Sequence, residues 1–134
     1  MFIGTVKVKL SAPLPWEDRK ITEIDLDFSK VNGRIIIQCE RETFQGGNLS
    51  GIVRSMSAEY CGRMAGLISG VPFRALEKLP SDDFDAVWQT VGAYVSKQNP
   101  QEFYNQFTAD DEEDEKTGEG FTEPAGKPEE KPKR

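Results

Sequence analysis

The stretch from Met64 to Val95, MAGLISGVPFRALEKLPSDDFDAVWQTVGAYV, constrains the fold of this chain more than any other. It reads as three helical segments joined by tight punctuation. Gly70 follows Leu67 and Ile68, where a helix ends well on a left-handed glycine. Pro72 stands where a first-turn proline begins the next helix without losing a needed hydrogen bond. Pro80-Ser81 closes that short helix, and Ser81 is placed to cap the following one, with Asp82, Asp83 and Asp85 at its positive end. In the last helix Phe84, Val87, Trp88, Val91 and Val95 fall on one stripe at helical period. This is the grammar of a small helical interaction domain rather than of catalytic machinery.

Upstream the period changes from helical to twofold. Val6, Val8 and Leu10 alternate with Lys7 and Lys9, and Ile24, Leu26 and Phe28 alternate with Asp25 and Asp27. Both are patterns of a half-buried strand. Their outward charges have opposite sign, so an antiparallel hairpin would set lysines across from aspartates, at roughly 0.2–1 kcal/mol per pair. The connection SAPLPWEDRK reads as a loop, because Pro13 and Pro15 deny backbone donors to a ladder. A lone hairpin is marginal in water, so its apolar face must lean on the helices.

Val31 to Phe44 is ambiguous by residue pattern. Arg34-Ile35-Ile36-Ile37 has strand-like β-branched content, while Ile35, Ile36, Cys39 and Thr43 satisfy a short helical stripe, and Asn32-Gly33 suits a hairpin turn or a helix start. QGGNLSG, residues 45–51, reads as a flexible connection. A helix is expected from about Ser57 to Ser69, capped by Ser55 or Ser57, with Tyr60, Met64, Leu67 and Ile68 inward. Gly62 and Gly66 cost about 1 kcal/mol each inside it; they suit a close helix approach or a dedicated docking groove. Pro100 interrupts the helical signal, and Gln101 to Phe107 holds Phe103, Tyr104 and Phe107 on one more short helix.

Charge divides the chain. Ten acidic and five basic residues lie from Asp110 onward, which leaves thirteen acidic against twelve basic residues before it. The body is therefore close to neutral, which speaks against nucleic-acid binding through clustered Lys and Arg. From Thr108 the composition is too poor in apolar residues to offset chain entropy, and a disordered acidic tail, 108–134, is expected after a domain of residues 1–107. Six consecutive acids lack the spacing and the glycine turn of a calcium loop.

The chain has no histidine, hence no ready general base, proton shuttle or imidazole metal ligand. Cys39 and Cys61 are too distant in sequence for a Cys-x-x-Cys site and too few for a disulfide framework. Asp82, Asp83 and Asp85 are stabilising on a first helical turn without any reaction. No catalytic, cofactor or metal site is expected, and no membrane association, since no segment approaches the ~18 apolar residues of a span. Eight phenylalanines and two tryptophans are many for so small an interior. Phe73, Phe84, Trp88, Val91, Phe103, Tyr104 and Phe107 are therefore the candidate partner-binding residues, with Trp16 in the hairpin connection as a further anchor.

Three blocks, VKVKLSAP, ITEIDLDFSKVNGRIIIQCERE and SAEYCGRMAGLISGVPFRALEKLPSDDFDAVWQTVGAYV, resemble in order and spacing the tail assembly chaperones of long-tailed bacteriophages. The resemblance implies a helix over the ambiguous middle segment, with Glu40-Arg41-Glu42 on its solvent side. It thus implies an α+β, mostly α fold: an N-terminal two-stranded β-hairpin, about four helices and the acidic tail. It further implies a non-enzymatic protein of the host cytoplasm, absent from the finished virion. Its partner would be the tape measure protein, with the major tail tube protein and self-association as additional possibilities. Family members are often also made as a longer product by ribosomal frameshifting. Gly62, Gly66 and Cys61 map to no family function. A virion structural or tail completion protein is the alternative; an acidic nucleic-acid mimic fits less well, because the charge excess lies in the tail.

Overall fold

The computed structural model describes residues 2–45 and 54–109. The chain divides into two units, Met1–Tyr104 and Asn105–Arg134. The expected flexible connection falls on residues outside the description except for Gln45, and so does the acidic tail except for Thr108 and Ala109.

The first unit is α+β, with a two-stranded antiparallel sheet followed by helices. Strand β1 is Thr5–Trp16 and β2 is Arg19–Asp27. Val6 pairs with Leu26 and Val8 with Ile24; all four side chains are buried. Fully burying each is worth about 1.5–3 kcal/mol. On the opposite face Lys7 pairs with Asp25 at 3.6 Å, as the charge pattern predicts, and both are largely exposed. Such a pair contributes at most about 1 kcal/mol, so it favours this register more than it stabilises the fold.

The connection is much shorter than the prolines suggest. β1 runs through Pro13 and Pro15, and only Glu17 and Asp18 turn the chain, Glu17 with a positive φ of 56°. Two circumstances admit the prolines. Both strands of a two-stranded sheet are edges, and the register is irregular between Lys9 and Leu14, where Pro13 falls. Phe28 leaves the strand for a single 3-10 turn, Phe28–Lys30. Its N–H still donates to Gly4 O at 3.0 Å, and its ring stacks on Tyr94 with centroids 4.5 Å apart. The Ser29 hydroxyl donates to Asp27 and holds that carboxyl below its ordinary range.

The middle segment is helical. Helix α1 is Gly33–Phe44, opened by Asn32, whose side-chain oxygen accepts from Ile35 N at 3.0 Å. Cys39 and Thr43 are buried on it, but Ile36 and Ile37 are exposed. Arg41 is exposed, while Glu40 and Glu42 reach Arg54 and Arg63 respectively. Helix α2, Ala58–Ser69, is capped by Ser57 Oγ, which accepts from Tyr60 N at 3.1 Å, and ends on Gly70 in the left-handed region at φ 79°. Tyr60, Met64 and Ile68 are inward as expected; Leu67 is half-buried.

Helix α3, Phe73–Leu76, and helix α4, Ser81–Val95, follow at once. Their boundaries lie one residue from the sequence reading: Pro72 and Pro80 occupy the cap positions, and Ser81 is the first helical residue rather than a cap. A last helix, α5, spans residues 100–109. Pro100 begins it, and Asn99 Oδ1 accepts from Gln101 N at 2.9 Å and Glu102 N at 3.1 Å. Helix α2 is the hub of the first unit, packing on α4, α1, α3 and β2, while α4 also touches β1.

Candidate protein-binding surface

The buried face of α4 is not the stripe that the large apolar residues mark. Asp83, Ala86, Val87, Thr90, Val91 and Tyr94 are buried, while Phe84 and Trp88 are only half-buried. The helix is thus rotated by ~100°, about one residue's turn, from the orientation its largest side chains suggest. Small and polar residues face inward because their partners are close. Thr90 Oγ1 donates to Ala86 O at 2.6 Å. Ser11 N–H lies 3.1 Å from both oxygens of Asp83, and the Ser11 hydroxyl donates to Oδ2 at 2.9 Å. Asp83 thereby ties the irregular part of β1 to the first turn of α4.

Two grooves lie beside α4, one at its first turns and one farther along it. The first holds about 510 Å³ and is lined by Phe73, Phe84, Ala58, Leu79, Glu59, Arg63, Glu77 and Ser81. Gly62 lies buried against two of its lining rings, Phe73 and Phe84. A Cβ there would lie 2.8 Å from Phe73 and 3.0 Å from Phe84, so glycine is what lets both rings settle over α2. Gly66 serves a different purpose, because a Cβ on it would meet the backbone at Phe73 N and Val71 O. The Arg63 guanidinium lies 4.6 Å from the centre of the Phe73 ring and is held by Glu59 at 2.8 Å.

The second groove, about 370 Å³, is lined by Trp88, Phe103, Met56, Gly92 and Ala93 with polar neighbours including Gln89 and Gln98. The Trp88 indole N–H donates to Asp85 Oδ1 at 3.0 Å, and Met56 is 74% exposed. Phe73 and Phe84 are thus brought together in one groove, and Trp88 and Phe103 in the other. Val91, by contrast, is 0% exposed and belongs to the core. Tyr104 is half-buried, its hydroxyl accepting from Lys9 N at 3.0 Å. Phe107 is half-buried in the second unit, whose residues 105–109 are helical. Trp16 is also half-buried, with Arg74 5.6 Å and Lys78 6.0 Å from its ring centre.

Met56 and Arg63 are surface contributors that the sequence pattern passed over. Met56 lies outside any periodic segment, and Arg63 reads as an ordinary solvated charge on α2. Ile36 and Ile37 are likewise left outside, at 41% and 53% exposure. Another cavity of about 310 Å³ lies between Val31, Ile36, Met64 and Val95, with Tyr60 and Tyr94 in its wall. Cys39 and Cys61 are both buried and free, and burial pushes each thiol up to about 12. Neither is a thiolate near neutral pH. Among the described residues, no three His, Cys, Asp or Glu side chains converge as metal ligands, and no helix is long and apolar enough to cross a membrane.

Comparison with protein-family models, with curated proteins and with solved structures gave no match.

Proposed function

We propose that this chain is a tail assembly chaperone of a long-tailed bacteriophage. It binds the tape measure protein in the host cytoplasm, with tail tube subunits as a second client, and is left out of the finished tail. The observation that carries the reading is the half-buried aromatic content of α3, α4 and α5: Phe73, Phe84, Trp88 and Phe103 are all only partly covered. A protein that shields a long client needs such a face, since aromatic side chains in pockets supply most of the affinity of protein interfaces. The order of the three blocks in the sequence supports the same reading.

Co-expression with the tape measure protein of the same phage tests it. The full-length chain is expected to keep the tape measure protein in the soluble fraction and to co-purify with it. Replacing Phe84 and Trp88 together by Ala is expected to weaken the complex by at least about 2 kcal/mol, roughly thirtyfold. Recovery of the chain in stoichiometric amount from purified virions would instead identify a structural or tail completion protein.

A further inference from the structure

We propose that the cavity between α1, α2 and the end of α4 binds a small apolar carboxylate, with Lys97 holding its charged end. The cavity, about 310 Å³, falls in the size range of small-molecule sites, whose walls are mostly apolar with a few convergent polar groups. Val31, Ile36, Met64 and Val95 supply aliphatic wall, and Tyr60 and Tyr94 supply rings. The wall is fixed at Tyr94, on which Phe28 stacks, and adaptable at Met64, an unbranched side chain. Ile36, otherwise an isoleucine left at the surface, has its place on this wall.

The backbone at Lys97 points to a ligand independently of the cavity. Helix α4 ends with Gln98 N donating to Ala93 O at 2.8 Å and Lys97 N donating to Tyr94 O at 3.0 Å. That pair of bonds puts the residue after the cap in the left-handed region. Glycine suits such a position, and α2 ends on Gly70 at φ 79°. Helix α4 instead places a lysine there, at φ 72°. Side chains held in sparsely populated backbone conformations cluster at ligand clamps. Charge gives the sign of the ligand: Arg54 and Lys97 line the cavity, and no carboxylate does. Arg54 is already paired with Glu40, while Lys97 enters no ion pair among the described residues. One spare cation beside an apolar cavity matches one negative charge on an apolar body. A monocarboxylate therefore fits better than a neutral lipid, an amine or a doubly charged phosphate ester.

This inference goes beyond the chaperone reading and does not depend on it. Decanoate, decanol and decylammonium, each below its micelle concentration, share an apolar body and differ in charge. Their binding to the full chain is read from the methionine methyl signals in NMR spectra. Decanoate is expected to shift the Met64 signal and to leave that of Met56, which lies exposed in the second groove and reports non-specific attachment. Decanol should bind at least about tenfold more weakly than decanoate, and decylammonium more weakly still. Lys97→Gly should move two readouts in opposite directions. The urea midpoint of the free chain should rise, because the left-handed residue loses its Cβ, while decanoate affinity should fall to that of decanol. Ile36→Glu, at an exposed position on the wall, should weaken decanoate and favour decylammonium. An unmoved Met64 signal or equal affinity for decanoate and decanol would overturn the proposal. So would a Lys97→Gly chain that binds decanoate undiminished, or one whose urea midpoint does not rise.

Discussion

Asp83 shows how a single side chain joins parts of this fold that are distant in sequence. It stands on the first turn of α4, where any carboxylate suits the helix dipole, and that is all its sequence context reveals. In the structure it is buried and accepts from both the backbone and the hydroxyl of Ser11 on β1. Removing a buried charged acceptor strands its donors, so Asp83→Ala should cost about 2 kcal/mol. Asp83→Asn, which keeps one acceptor oxygen, should cost less. Urea unfolding measures both, and faster hydrogen exchange of the Ser11 amide would localise the damage. The two thiols carry a different consequence. Burial raises both from the ordinary 9.0 to about 12, so the folded chain keeps its thiols neutral while the unfolded chain ionises them. The stabilisation is complete below pH 9 and is lost as the pH climbs toward 12, at up to about 1.4 kcal/mol per thiol per pH unit. The urea midpoint should therefore hold steady up to pH 9 and then fall, and Ala at both cysteines should reduce the fall, leaving the part above pH 10 that Tyr60 and Tyr94, also raised by burial, contribute.

Helices α2 and α4 illustrate why element patterns mislead about direction. The apolar stripe of α4 correctly announced a helix of the right length, but its largest members lie to one side of the buried face. Close packing buries the small Ala86 and Thr90 and leaves Phe84 and Trp88 half-buried at the edge. Gly62 and Gly66, equal in sequence, have unequal duties. A Cβ at Gly66 strikes backbone at 3.0 and 3.1 Å, whereas one at Gly62 strikes the ring edges of Phe73 and Phe84, which can swing. Gly66→Ala should therefore destabilise by about 1–3 kcal/mol despite its gain in helix propensity. Gly62→Ala should cost less stability yet weaken client binding, because the rings it displaces form the first groove. Thermal unfolding and client pull-down separate the two effects.

Across the molecule, the hairpin followed by helices was legible because each element has its own period and punctuation. Alternation at Val6–Leu10 and Ile24–Phe28, the left-handed Gly70 and the prolines at 72, 80 and 100 act within a few residues of themselves, and the structure follows them closely. The middle helix was not decidable from residue pattern, since Ile35, Ile36 and Ile37 suit either period. Tertiary packing settles it by burying Cys39 and Thr43 and leaving Ile36 and Ile37 outside. The length of the hairpin was hidden as well, because proline excludes an inner strand but not an edge. If the aromatic face carries the function, a chain ending at Thr108 should still bind its client, which a binding assay checks directly; loss of all activity would point to the acidic residues beyond. What the sequence alone determined is therefore local: where elements begin, where they stop, and that aromatic residues exceed what a small interior readily holds. Only the tertiary structure decided which aromatics stay at the surface, because that depends on how α4 is rotated between α2 and the hairpin. That rotation is set by contacts such as Ser11–Asp83 between residues 72 positions apart, which no local pattern records.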